Sequence, residues 1–134
     1  MVLLVLAIAI WASHIHALPT PAPILIVGSL NMDVIIKVNR LPQRHETITA
    51  CSPSTELAVG GKGANQAVAV AKLTRSAGGG AKFICQFGND AYADMLEATL
   101  KESGVDVSVC GRASGLPSGQ GIVMLEGDGW VRRY

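Results

Sequence analysis

The glycine-rich run Gly60-Gly61-Lys62-Gly63 constrains this chain more than any other feature. Glycine loses the most backbone freedom on ordering, so such a run is used where a chain turns tightly or where a ligand approaches the backbone. Apolar residues then recur at helical spacing, at Ala64, Ala67, Val68 and Ala71. The sequence therefore predicts a glycine turn that opens a helix from about residue 63 to residue 74.

A glycine turn at the start of a helix leaves unpaired N–H groups at a partly positive helix end. That end suits the electron-rich oxygens of a hydroxylated or anionic ligand. Lys62 adds a cation beside it and Asn65 adds an amide. The alternative is a structural turn between a strand and a helix, with no ligand at all.

Two common phosphate-binding loops do not match the run. A Walker loop ends in Gly-Lys-Ser or Gly-Lys-Thr, whereas Gly61-Lys62 is followed by Gly63. A dinucleotide-binding fingerprint needs a third glycine where this chain has Gln66. The residues thus exclude both of these loops.

The composition predicts one small α/β domain. The chain has 134 residues, of which 49% are hydrophobic and 4% aromatic, and its net charge of +1 gives no reason to expect a nucleic-acid partner. The three cysteines contain no Cys-x-x-Cys pair, so neither a zinc site nor a full disulfide set is predicted. We expect three free, mostly buried thiols in a reducing compartment.

Residues 1–18 are apolar and carry no charged side chain. Only residues 1–11 are continuously apolar, and such a run is too short to span a bilayer as a helix, so no membrane span is expected. The segment can be a signal or targeting peptide ending near Ala17, a spurious first exon, or a structural segment. Residues 19–23 form a proline-rich linker, and we place the domain at residues 24–134. The free cysteines favour the cytoplasm or a plastid, and residues 1–17 leave a secretory route open.

Ile24-Leu-Ile-Val-Gly28 predicts a parallel strand that is buried on both faces. Asn31 and Asp33 follow its carboxyl end, where open α/β sheets bind ligands. In an extended segment both side chains point the same way, so an amide and a carboxylate could hold neighbouring hydroxyls of a polyol. The alternative is that both residues only stabilise a turn.

The remaining elements predict strand–helix alternation and a parallel sheet. Residues 34–38, 46–50 and 55–59 are expected to form a small antiparallel sheet. A buried strand is expected at 82–87, and further strands at 105–110 and at 119–126, the last followed by a turn at 127–129. Asn89 or Asp90 should cap a second helix that ends at Gly104 and whose inner face comprises Tyr92, Met95, Leu96, Thr99 and Leu100. Residues 130–134 have no assigned role.

Four motifs in order resemble the PfkB family of carbohydrate and nucleoside kinases, and its ribokinase members in particular. They are Ile26-Val-Gly-Ser-Leu-Asn-Met-Asp33, Gly60-Gly-Lys-Gly-Ala-Asn-Gln-Ala67, Gly88-x-Asp90 and Ser118-x-x-x-Ile-Val-Met-Leu125, with Glu46-Thr47 between the first two. The resemblance runs from about residue 24 to residue 129. It implies the amino-terminal part of a Rossmann-like ribokinase fold, truncated, with a small β-sheet lid built largely from residues 34–59 and 105–126.

The resemblance also implies a function, the ATP-dependent phosphorylation of D-ribose to ribose 5-phosphate. The sugar site it implies comprises Asn31, Asp33, Gly60, Gly61, Lys62, Gly63 and Asn65. The family uses ATP, magnesium and a monovalent cation. The lid often forms the dimer contact, so a homodimer or a mixed dimer through the lid is expected.

The sequence departs from the family pattern in its missing catalytic part. The family's Gly-Ala-Gly-Asp motif, whose aspartate is the catalytic base, does not occur, nor do the residues that bind ATP, magnesium and the monovalent cation. No catalytic and no metal-binding residue is therefore assigned, and we expect the chain to be inactive alone and poorly soluble. His45 and Ala93 stand where the family commonly has glycine. The alternatives are a non-catalytic sugar-binding or dimerisation module, a fragment of another PfkB sugar or nucleoside kinase, and a gene-model fragment.

Overall fold

The computed structural model describes residues 21–127 and 131–133. In chain order these residues form β1 (Ile24–Val27), β2 (Asn31–Val38), β3 (Glu56–Gly60), α1 (Lys62–Thr74), β4 (Ala81–Ile84), β5 (Gln86–Phe87), α2 (Ala91–Glu102), β6 (Val105–Asp106), β7 (Gly111–Arg112), β8 (Gln120–Glu126) and β9 (Val131–Arg133), with a short 3-10 turn at Arg75–Ala77 after α1. The expectations for residues 1–18, for the start of the linker and for most of the turn at 127–129 lie outside the described residues. Within them, neither helix is long and apolar enough to cross a membrane.

The main sheet has three parallel strands in the order β1-β4-β6. Each step from one strand to the next passes through a helix, first α1 and then α2, which confirms the predicted strand–helix alternation. Because such crossovers are right-handed and both steps run in the same direction, the two helices lie on the same face of the sheet. This part of the molecule therefore consists of two layers, the sheet and the pair of helices.

One hydrophobic core joins the two helices to that face. It contains Ile26 and Phe83, which pair across β1 and β4, and it contains the alanines of α1 that the sequence predicted. Phe83, Leu96 and Leu100 are among its fully buried side chains. The short alanine side chains allow α1 to pack closely on the sheet, which sets where the amino-terminal end of this helix lies.

The second sheet, which we call the lid, has the order β3-β2-β8-β9. β2 is antiparallel to β3 and parallel to β8, and β9 is antiparallel to β8. The lid is therefore mixed and not purely antiparallel as expected. β2 also begins at Asn31, three residues earlier than expected, because its first residues pair with Gly60 and neighbouring residues of β3.

The expectation that β1 is buried on both faces is wrong. Ile26 is buried, but Leu25 and Val27 are 57% and 70% exposed. The reason is the layer arrangement, since both helices cover the Ile26 face and no described element covers the other. Among the strands that the structure describes, β1 is also an edge strand, paired with β4 alone.

Other local expectations are wrong as well. Residues 46–50 form no strand, and the segment 105–110 is a strand only at Val105–Asp106. The predicted strand 82–87 is interrupted at Cys85. On α2, Met95 and Thr99 are exposed, while Ala93 is fully buried. All three thiols are free, but Cys51 is exposed, and Cys85 and Cys110 are only partly buried.

The loop after β2 is held by an ion pair between Arg40 and Glu46. Hydrogen bonds from Arg40 and from the Gln43 N–H lower the pKa of Glu46 to about 2. His45, within this loop, has a φ of 65°. Glycine adopts that left-handed conformation without steric cost, so His45 occupies a backbone position that favours glycine.

Candidate sugar site

Strand β2 carries the two polar residues at the centre of the candidate site. Asn31 and Asp33 lie two positions apart on this strand, so their side chains share one face of the lid. Asn31 pairs with Gly60 of β3, and Asp33 pairs with Gly121 of β8. The amide and the carboxylate therefore stand side by side, with a glycine across from each.

These glycines make room for the polar side chains. A β-carbon on Gly60 would clash with the carboxylate of Asp33, and one on Gly121 would lie 2.5 Å from Asp33 Oδ1. Similarly, a β-carbon on Gly119 would lie 2.7 Å from Asn31 Oδ1. The positions of Asn31 and Asp33 thus depend on glycine in both neighbouring strands.

The start of α1 forms the other wall of the site. Gly61 has a φ of +96°, which glycine tolerates, and it turns the chain from β3 into the helix. A β-carbon on Gly63 would lie 2.7 Å from the Gly28 Cα, so the helix begins in direct contact with the end of β1. The Ala64 N–H donates to the Ser29 carbonyl at 3.1 Å, which satisfies one of the free donors of the first turn.

Between these walls lies an open cavity of about 280 Å³. It is lined by Ser29, Asn31, Asp33, Gly61, Lys62 and residues 121–123 of β8. Within residues 21–127, the side chains of Asn31, Asp33 and Lys62 take part in no hydrogen bond or ion pair. A carboxylate, an amide and an ammonium group are therefore available to a ligand.

The structure brings four of the seven predicted site residues to the cavity, namely Asn31, Asp33, Gly61 and Lys62. Gly60 lies behind Asp33, and Gly63 is buried against the end of β1. Asn65 is exposed on α1 and does not line the cavity. Whether these residues bind a substrate stays a prediction.

Sequence reasoning missed the contribution of β8 and of Ser29. Gly121 lies beside Asp33 because β8 pairs in parallel with β2, and no local signal in the sequence reveals that pairing. The glycines at 119 and 121 were the available signal, since glycine inside a strand marks a close approach by another group.

Asp90 holds the entry of β8 in place. Its Oδ2 accepts from the Ser118 N–H at 2.8 Å, and its Oδ1 accepts from the Ser118 hydroxyl at 2.8 Å. Oδ1 also accepts from the Ala93 N–H, so Asp90 caps α2 as predicted. The carbonyl oxygen of Gly119, the next residue after Ser118, accepts a hydrogen bond from the Met32 N–H at 2.8 Å. Asp90 thus positions the strand that closes the cavity.

Within the described residues, no three side chains of His, Cys, Asp and Glu come close enough together to hold a metal ion. The polar groups of the cavity are one carboxylate, one amide, one hydroxyl and one ammonium group. This set suits the hydroxyls of a neutral polyol, because the carboxylate accepts, the ammonium group donates and the amide does both.

Comparison with known proteins identifies the family to which the chain is similar. Residues 22–132 match the family model described as pfkB family carbohydrate kinase. The chain is 36% identical over 109 residues to the ribokinase of Arabidopsis thaliana, covering 80% of this chain and 27% of that protein. It is 32% identical over 106 residues to the ribokinase of Schizosaccharomyces pombe, covering 79% of this chain and 33% of that protein.

Two solved structures share the fold. The ribokinase of Thermotoga maritima superposes with a TM-score of 0.72 at 35% identity, covering 84% of this chain and 35% of that one. Arabidopsis thaliana ribokinase, solved with ribose and ATP, gives a TM-score of 0.68 at 33% identity, with the same two coverages. The chain spans about a quarter to a third of the length of the curated relatives it matches.

The bond between Asp90 and Ser118 makes a testable contribution to stability. The Ser118 N–H and then the Ser118 hydroxyl lower the pKa of Asp90. A carboxyl whose pKa is lowered by folding stabilises the protein above its unfolded value of about 3.9, and this effect is lost as the pH falls through the folded pKa. We therefore expect Asp90→Asn to lower Tm at pH 7, and the difference from the unsubstituted chain to shrink below about pH 4.

Thermal unfolding followed by circular dichroism, at pH 7 and again below about pH 4, measures the difference in Tm. Ser118→Ala should lower Tm in the same direction, since it removes one of the bonds and keeps the carboxylate. Asp94→Asn is the matched control, because Asp94 is 73% exposed and pairs only with the surface residue Arg112. An Asp90→Asn difference that persists unchanged at low pH would contradict the role of the carboxylate.

Proposed function

Because the chain belongs to the pfkB family of carbohydrate kinases, we propose that it supplies the sugar-binding side of a ribokinase-type site, with D-ribose as the ligand. The observation that carries this proposal is the pair Asn31 and Asp33, side by side on β2 in a cavity and without partners among the described residues. The Arabidopsis relative, which was solved with ribose, supports the choice of a pentose.

The proposed binding mode follows from the chemistry of the two side chains. The Asp33 carboxylate accepts hydrogen bonds from two hydroxyls, and the Asn31 amide accepts from one hydroxyl and donates to another. Adjacent hydroxyls of a furanose present this pattern. Lys62, at the start of α1, adds a donor on the opposite wall. The cavity of about 280 Å³ lies close to the lower end of the range of small-molecule sites, about 300–1,000 Å³.

We further propose that the 134-residue chain binds ribose without phosphorylating it. Phosphoryl transfer depends on positioning the reactants and on stabilising the charge of the transferred group. In the cavity Lys62 is the one cationic side chain among the lining residues, and no lining residue stands in a Gly-Ala-Gly-Asp motif. The residues that line the cavity therefore do not fit a nucleotide and metal site.

Replacing Asp33 tests the sugar site. We expect Asp33→Ala to weaken the binding of D-ribose roughly ten- to a hundredfold, because a hydrogen bond to a charged group contributes about 1.5–3 kcal/mol. Isothermal titration calorimetry measures the affinity. Asp94→Ala is the control, since Asp94 is an exposed carboxylate on α2. Equal affinities of the Asp33 variant and the unsubstituted chain would exclude the proposed site.

Turnover is the second test. We expect the purified 134-residue chain, supplied with D-ribose, ATP and magnesium, to release no ADP above the level of a blank without protein. Arabidopsis ribokinase assayed in parallel is the positive control. Ribose-dependent ADP release that Asp33→Ala abolishes would show that the chain is itself a kinase, and would overturn the proposed lack of catalysis.

A second candidate role is dimerisation through the lid, either with another copy or with a complete kinase subunit. Val34 of β2 pairs with Leu57 of β3 on one side and with Ile122 of β8 on the other, so the three form an apolar row across one face. Leu57 and Ile122 are 41% and 56% exposed. Apolar rows of this kind are covered in protein interfaces.

Light scattering after size-exclusion chromatography tests the lid contact. We expect the unsubstituted chain to elute as a dimer and Leu57→Glu to shift it to a monomer, because the introduced charge would be buried in the contact. Leu116→Glu is the matched control, since Leu116 is 64% exposed and lies in a loop outside the lid. A monomeric unsubstituted chain would count against dimerisation.

A further inference from the structure

Two cysteines lie side by side just before the paired strands β5 and β7. Cys85 separates β4 from β5, and Cys110 directly precedes β7. Because β5 and β7 pair in parallel with Gln86 opposite Gly111, the preceding residues, Cys85 and Cys110, are also neighbours across the two strands. Their sulfur atoms are 3.4 Å apart, with the Cys85 thiol donating to Cys110 Sγ. The Cys110 thiol donates in turn to the Phe83 carbonyl at 3.1 Å.

This arrangement is compatible with a disulfide. Adjacent strands are about 4.8 Å apart, and Cα atoms joined by a disulfide are usually about 4.4–6.8 Å apart. The two sulfur atoms need to approach by about 1.4 Å to reach the S–S bond length of about 2.05 Å. Rotation of the side chains can supply this movement, so the strands need not separate.

The two thiols differ in access. Cys110 lines an open cavity of about 410 Å³ together with residues of α2, β6 and the loop that follows β6. Burial and the neighbouring Cys110 raise the pKa of Cys85 to about 12, so Cys85 stays protonated near neutral pH. A small oxidant that enters the cavity therefore meets Cys110 first. The third cysteine, Cys51, lies in another part of the chain and donates to Asn39 Oδ1.

We propose that Cys85 and Cys110 are a reversible redox pair that hydrogen peroxide converts to a disulfide. The Cys110 sulfur attacks one peroxide oxygen, the O–O bond breaks, and the products are Cys110 sulfenic acid and water. The Cys85 sulfur then attacks the Cys110 sulfur. The S–S bond forms as the S–O bond breaks, and the leaving hydroxide takes the Cys85 proton as a second water. Two thiols are oxidised while one peroxide is reduced, and an added dithiol reverses the reaction.

The disulfide would act on the segment that supports the sugar site. It would close a loop from residue 85 to residue 110, which contains α2 and its cap Asp90. Closing this loop restricts the unfolded chain and joins the two strand segments that flank α2. The oxidised chain should therefore unfold at a higher temperature than the reduced chain.

The test uses the full 134-residue chain with hydrogen peroxide as the probe. After oxidation, free thiols are alkylated and the tryptic peptides are analysed by mass spectrometry without reduction. We expect a peptide pair joined through Cys85 and Cys110, alkylation of Cys51, and a rise of several degrees in Tm that a reducing dithiol reverses. Failure of the sugar-binding proposal would leave this result unaffected, since no thiol lines the sugar cavity.

Serine variants provide the controls. Cys51→Ser should keep both the linked peptide and the peroxide-induced rise in Tm, whereas Cys85→Ser and Cys110→Ser should lose both. The measurement on the unsubstituted chain stands even if a variant fails to fold. The proposal would be overturned if Cys85 and Cys110 were still alkylated after peroxide treatment. It would also be overturned if the disulfides joined two chains, or included Cys51, in place of the 85–110 pair.

Discussion

The structure depends on the close contact between the start of α1 and the end of β1. Gly28 and Gly63 meet without side chains between them, so the first turn of the helix lies directly on the strand end. This contact lets the Ser29 carbonyl accept from the Ala64 N–H. It also brings Gly61 and Lys62 beside the first residues of β2. A side chain at position 63 would push the helix away and open the wall of the cavity.

The second constraint is the space around Asp33. Asp33 lies on β2, and each neighbouring strand has a glycine beside it, Gly60 on β3 and Gly121 on β8. These glycines leave room for the carboxylate. The site is therefore shared between two structural units, the lid and the first crossover of the main sheet. Asp90 also joins the main sheet to the lid, because it caps α2 on the second crossover and holds Ser118 at the entry of β8. A substitution in the lid or in the main sheet can thus displace the same side chains of the candidate site.

Local signals in the sequence predicted much of this arrangement. The alanine spacing predicted α1, the branched residues predicted β1, and the acid before α2 predicted its cap, since each signal acts within a few residues. The same is true of Asn31 and Asp33, whose common direction follows from strand geometry alone. The family motifs predicted the fold class, which the solved relatives confirm.

The features that the sequence could not predict depend on contacts between segments that are far apart in the chain. The parallel pairing of β8 with β2, and with it the contribution of Gly121, has no counterpart in local sequence. The exposure of Leu25 and Val27 depends on which face the helices cover. The inner face of α2 was predicted only in part, since Leu96 and Leu100 are buried as expected. Apolar Met95 was expected inside but is exposed, and the smaller Ala93, one turn away from Leu96, belongs to the core instead.

The pairing of β2 with β8 also bears on how the molecule assembles. Residue 32 pairs with residue 120, so the cavity closes only after most of the chain has been synthesised and the two distant strands have met. Closing such a long loop costs chain entropy before any contact offsets it, and pairings of this kind slow folding. A ligand that touches both β2 and β8 binds only the joined state. By mass action its concentration would then shift the balance between unpaired and paired β2 and β8, so that the ligand would help to determine how completely the chain folds.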